Sequence, residues 1–73
     1  MSSSISIVIP VFNEEKNIID VYNHLRKALG ISKVLNYEII FVDDGSLDNS
    51  LKIIDDLKKK EKNKIRIIKN KFN

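Results

Sequence analysis

Seventy-three residues with 13 basic and 10 acidic side chains carry a net charge of +3 and allow at most one small domain. A chain this short buries only about 60–65% of its unfolded surface, so its core is marginal without outside support. Hydrophobic residues at 42% and charged residues at 32% exclude disorder, collagen and coiled coil.

The segment Ser4-Ile5-Ser6-Ile7-Val8-Ile9-Pro10 begins with alternation and ends almost wholly apolar, as in a strand covered on both faces. Pro10 has no N–H to donate, so the strand should end about there. Asn13 offers an N-cap, and Glu14-Glu15 fall in a first turn where carboxylates favour the helix dipole. Ile18, Tyr22, Leu25 and Leu29 then mark one helical face, with Gly30 as a stop. A second strand spans 37–43 and breaks at Asp44-Gly45-Ser46. Asp48 or Ser46 caps a second helix with Leu47, Leu51, Ile54 and Leu57 on one side, fading into residues 58–63. Ile65-Arg66-Ile67-Ile68 is a short third strand.

This β-α-β-α-β order specifies an α/β fold: a parallel three-stranded sheet with right-handed crossovers. Parallel sheets normally have covered faces and protected edges. Residues 1–73 are therefore expected to form a single partial domain, the opening part of a larger one.

In open α/β sheets, ligands bind beyond the carboxyl ends of the strands. Two polar clusters fall there, Pro10-Val11-Phe12-Asn13-Glu14 and Asp43-Asp44-Gly45-Ser46. They suit a shallow pocket with Phe12 as an aromatic wall and Glu14 and Asp44 as carboxylates. Gly30 and Gly45 are the only glycines, so neither a dinucleotide-binding G-x-G-x-x-G nor a P-loop can occur. A ring beside carboxylates favours a base and sugar over bare phosphates. Each residue also has a local structural role available. Asn13, Ser46 and Asp48 are caps, Phe12 is a hydrophobic staple, and Asp43 terminates its strand. Tyr22 and Tyr37 pack, and His24 faces solvent.

With no cysteine there is no disulfide scaffold, thiolate metal site or cysteine nucleophile, and His24 alone makes no His-rich centre. Basic residues crowd between Lys58 and Lys71, but the run holds one arginine and no aromatic before Phe72. It fits a solvated helix end better than a nucleic-acid surface, and no nucleic-acid partner is expected. No apolar run nears the roughly 18–20 residues of a membrane span. The N-terminus has no secretory-signal pattern, so a cytoplasmic location is expected.

The strings I-V-I-P-V-F-N-E-E at 7–15 and Y-E-I-I-F-V-D-D-G-S-L-D-N-S at 37–50 resemble the start of a family 2 glycosyltransferase of the GT-A fold, a Rossmann-like nucleotide-diphospho-sugar transferase. They are closest in character to dolichol- and polyprenyl-phosphate sugar transferases. The resemblance implies inverting transfer from a UDP- or GDP-linked sugar donor, with Mg or Mn as cofactor and a polyprenyl phosphate as an acceptor. By position it implies that Pro10 and Phe12 line the base, Glu14 lies near the nucleoside, Val42 borders it and Asp44 hydrogen-bonds the base. Asp43, Gly45 and Ser46 would shape the turn. Phe12 stands where many members have tyrosine, which keeps stacking and loses the hydroxyl. Asn70 or Asn73 would match the asparagine that follows the third strand.

The family's D-x-D metal motif is missing, since Asp43-Asp44 and Asp55-Asp56 lack its spacing. The resemblance therefore assigns no catalytic residue and no metal ligand here, and a fragment inactive by itself is expected. The parent enzyme would sit at the cytoplasmic face of a membrane. The alternative is a non-enzymatic α/β module that self-associates through its open sheet edge. A phospho-receiver domain ranks lower, because the acidic pair follows the second strand rather than the first.

Overall fold

The computed structural model describes residues 4–34 and 36–70. In chain order they form β1 (Ser4–Val11), α1 (Ile18–Ile31), β2 (Asn36–Asp43), α2 (Ser50–Lys60) and β3 (Ile65–Lys69). The strands pair in parallel in the order β1-β2-β3, so the α/β architecture is the expected one. Two successive right-handed crossovers in one direction put both helices on one face of the sheet, and α1 and α2 touch.

Alternation along the strands builds the core. Ile39, Phe41, Val11 and Ile65 point to the helices and meet Ile18, Tyr22, Ile54 and Leu57. Phe41, on the middle strand, is fully buried. The other sheet face carries Val8, Pro10, Ile40, Val42 and Ile68 in neighbouring register positions, and Val8 is 61% exposed there. Toward the amino ends of the strands, Glu38 holds Ser6 and Arg66 on this second face.

Several element boundaries differ in detail from the sequence reading. β1 runs through Pro10 to Val11. The Val11 carbonyl accepts the Asp44 N–H, so Val11 faces β2 and its neighbour Pro10 turns its nitrogen to the open edge, where a missing donor costs nothing. α1 begins at Ile18, not near Asn13, after a turn in which the Glu14 carbonyl accepts the N–H groups of Asn17 and Ile18. Leu47 lies before α2 and is 92% exposed, so it belongs to no helical face.

Gly30 does not stop α1 either. The helix continues to Ile31 and closes with Lys33 N–H on the Gly30 carbonyl and Val34 N–H on the Leu29 carbonyl, a Schellman pattern. The left-handed position is Lys33, at φ 57, where a side chain is strained. Lys33→Gly is expected to raise stability by about 0.5–1 kcal/mol in urea denaturation. Lys58, Lys59 and Lys60 lie in the last turn of α2 and complement its dipole. Arg26 of α1 pairs with Glu61 at 3.4 Å, closing that end.

Candidate functional site

Parallel pairing brings the carboxyl ends of β1, β2 and β3 to one rim of the sheet. Pro10 lies opposite Val42, and Val11 opposite Asp43. Val11 and Asp43 are buried toward the helices, so Pro10 and Val42 sit side by side on the uncovered face, with Ile68 beyond them. Phe12 comes next and is 56% exposed. It is not among the side chains packed on the core, so it does not act as the expected staple.

Asp43 is the anchor of the turn after β2. Its Oδ2 accepts the N–H groups of Gly45 at 3.1 Å and Ser46 at 3.0 Å, folding the chain back over the strand end. Gly45 takes φ 88 there, which a side chain would strain. Asp43 Oδ1 is buried and has no hydrogen-bond partner among the described residues, a cost of about 1–3 kcal/mol concentrated in this turn.

Asp44, half-buried, is braced from β3. Asn70 N–H continues the ladder to the Asp43 carbonyl at 2.8 Å, and Asn70 Nδ2 donates to Asp44 Oδ1 at 2.8 Å. One carboxylate oxygen is held, and among the described residues the other has no protein donor. Asn73 and Phe72 lie outside the described residues. Glu14 behaves differently: Asn17 Nδ2 donates to its Oε2 at 3.0 Å, so its carboxylate serves the approach to α1 rather than the turn after β2. An apolar groove of about 370 Å³ runs between β1 and α1, lined by Ile9, Val11, Ile18, Val21 and Phe41, with Pro10 and Glu14 at its mouth. Phe12, Val42 and Asp44 stand outside it. The groove and the predicted site are therefore neighbours that share Pro10 and Glu14.

The expected caps turn out to cross-link the two loops, and Asp48 in addition receives the first N–H of α2, that of Ser50. Asn13 N–H donates to Ser46 Oγ (2.9 Å), Glu14 N–H to Ser50 Oγ (2.9 Å) and Glu15 N–H to Asp48 Oδ2 (3.2 Å). In return Leu47 N–H donates to Asn13 Oδ1 at 2.8 Å. Asn13 reaches this position at φ 51, a conformation asparagine tolerates. Each neutral bond of this kind contributes about 0.5–1.5 kcal/mol. Asp48 also accepts the Ser50 N–H at 2.9 Å and the Ser50 hydroxyl. Ser50 was missed in the sequence as a member of this rim, whereas Asn70, like Asn73, is expected there as the asparagine that follows the third strand. The alternation of acceptors at 46, 48 and 50 was the available signal.

Partial desolvation pulls the Asp48 carboxyl upward. The bonds from Ser50 and from the Glu15 N–H outweigh it, and the carboxyl sits below its ordinary 3.8. A depressed carboxyl stabilises the fold above the unfolded value and loses that contribution as pH falls through the folded one. The clasp is therefore expected to be intact at pH 5 and to open only below about pH 3.8. In carbon-detected titration the Asp48 carboxyl should have its midpoint below 3.8, and the Glu15 amide shift should follow the same curve.

Among the described residues no three His, Cys, Asp or Glu side chains converge as a cation site. Asp48 gives both carboxylate oxygens to protein donors, and Asp43 and Asp44 give one each. With no third ligand converging beside them, these carboxylates do not make a divalent-metal site by themselves, and no step is derived through one. No helix among the described residues is long and apolar enough to cross a membrane.

Known proteins share this arrangement of motifs. Residues 6–73 match the family described as glycosyl transferase family 2. The chain is 38% identical over 68 residues to the glycosyltransferase GlyG of Streptococcus pneumoniae, covering 93% of this chain and 21% of that protein. It is 46% identical over 54 residues to the undecaprenyl-phosphate 4-deoxy-4-formamido-L-arabinose transferase of Pseudomonas fluorescens, covering 71% and 15%. It is also 46% identical over 54 residues to the UDP-N-acetylglucosamine–dolichyl-phosphate N-acetylglucosaminyltransferase of Methanococcus voltae, covering 73% and 19%. The chain thus spans between 15% and 21% of the length of these three relatives. A family match over nearly all of the sequence, on a parallel β-α-β-α-β rim built from the same two strings, places the chain in glycosyltransferase family 2.

Proposed function

We propose that this chain holds the nucleoside of a nucleotide-diphospho-sugar donor, UDP- or GDP-linked, for inverting sugar transfer to a polyprenyl phosphate. One observation carries the proposal. At the carboxyl rim an exposed aromatic ring, Phe12, shares two bonded loops with Asp44, whose Oδ1 is held by Asn70. A ring offers stacking to a base, and a braced carboxylate offers an acceptor to a base N–H. Pro10 and Val42 supply the adjoining apolar floor, while Asp43, Gly45 and Ser46 fix the turn. The polyprenyl-phosphate acceptor is supported by the names of the two relatives that act on such lipids.

Amide NMR of the labelled chain, titrated with UDP and then with GDP in the presence of magnesium, tests this. Shifts confined to residues 11–14 and 42–46 are expected for one of the two nucleotides. A folded spectrum unmoved by either would remove nucleoside binding. On this reading the 73-residue chain transfers no sugar by itself, and turnover of a donor sugar by the pure chain would refute that part. The rival, two copies joined through the open sheet edge, is favoured by the outer side of β1, which pairs with no strand among the described residues. A monomer in sedimentation equilibrium at millimolar concentration would dismiss it.

A further inference from the structure

We propose that Asp48 and Ser50 are positioning residues of the nucleoside site, setting the place of the Phe12 loop against Asp44. The proposal rests on the nucleoside reading above and assigns the residues that make the two halves of that site one unit. The segment between β1 and α1 is tied to the start of α1 through the Glu14 carbonyl and carboxylate, but its N–H groups at Asn13, Glu14 and Glu15 find their acceptors on the other loop. Asn13 is left-handed, and α1 lacks a side-chain cap at Asn17. Its consecutive N–H groups at Glu14 and Glu15 are instead received by Ser50 and Asp48. Ser50 is fully buried at the first position of α2, and α2 is fixed by Ile54 and Leu57 in the core. A line of rigid contacts thus runs from the core through α2 and Ser50 to Glu14, two residues from Phe12. Asp48 braces Ser50 through both its N–H and its hydroxyl. Because the same segment continues back to Asp44, this support fixes the ring and the carboxylate relative to each other.

Asp48→Asn keeps the shape but replaces one acceptor oxygen with an NH₂ that faces a protein donor. Ser50→Ala leaves the Glu14 N–H without its acceptor. In the intact protein, calorimetric titration with UDP and with GDP is paired with amide hydrogen exchange. Both variants should bind the wild type's preferred nucleotide about 5–30-fold more weakly, the loss expected when a desolvated donor goes unpaired. Exchange at Glu14 and Glu15 should accelerate while Ile39 and Phe41 keep full protection, a separation that a general loss of stability would not give. The double variant should lose little more than either single one, since both act through one clasp. Unchanged affinity alongside faster exchange at Glu14 and Glu15 would overturn the proposal, as would unchanged exchange. If Ser50→Ala loses protection at Ile39, the half-exposed Asp48→Asn carries the test. Wild-type protein that binds neither nucleotide would fail earlier, sinking the nucleoside reading itself before any variant is compared.

Discussion

Phe41→Ala is expected to leave the chain without a cooperative thermal transition. Phe41 is fully buried on the middle strand, where it meets the helices and is flanked by Ile9 and Ile67 in register. Truncating a buried phenylalanine costs about 3–5 kcal/mol, because a cavity remains where the ring was. A domain this small sits at the low end of the usual 5–15 kcal/mol, so the loss consumes most of what holds it. Circular dichroism melts should show a sigmoid for the wild type and for Phe41→Leu, and a near-featureless slope for Phe41→Ala. Since 1 kcal/mol moves the midpoint of a domain of this size by about 4–8 °C, an alanine variant melting within a few degrees of wild type would show that the core is carried elsewhere.

The second large effect falls on binding and leaves the fold intact. Asp44→Ala should weaken nucleotide affinity by roughly 10- to 150-fold, the range for losing a hydrogen bond to an ionised acceptor. Asp44 is half-buried at the rim and its side chain hydrogen-bonds Asn70 alone among the described residues, so the melting curve should hardly change. Asn70→Ala should cost far less, about 2–5-fold, because the carboxylate survives and loses only its brace. Calorimetric titration of the intact protein reads both. Equal affinities for wild type and Asp44→Ala would take the base contact away from this residue.

Element order and sheet topology were legible because strand and helix periods differ so clearly. β-branched runs at 4–10 and 37–43 and the four-three spacing of Ile18, Tyr22, Leu25 and Leu29 left little room for another arrangement. What escaped was decided by partners far along the chain. Asn13, Ser46 and Asp48 are good local caps, and Asp48 does bond Ser50 two residues on, yet all three also make bonds that span 33 or 34 residues, a separation that capping rules do not address. Gly30 looked like a stop because glycine favours the left-handed closure. The chain closes its helix with Lys33 instead, since Val34 is the residue that reaches the Leu29 carbonyl. Leu47 kept the helical spacing and lost its place because Asn13 draws its N–H into the loop. The turn residues Asp43 and Gly45 were readable; the second support for Asp44, from Asn70, depends on where β3 ends in space.

If the rim holds a nucleoside as proposed, the amides of Asn13, Glu14 and Glu15 also bear on where the donor's charge goes. Successive main-chain N–H groups ahead of a helix form a concave cradle that commonly receives an anion. Here that cradle is already filled by the protein's own oxygens, two serine hydroxyls and the Asp48 carboxylate, and the third brings a negative charge of its own. A diphosphate approaching this rim would meet occupied donors and electrostatic repulsion. The loops are thus suited to the uncharged end of a donor, and neutralisation of its phosphates falls to groups other than these three amides.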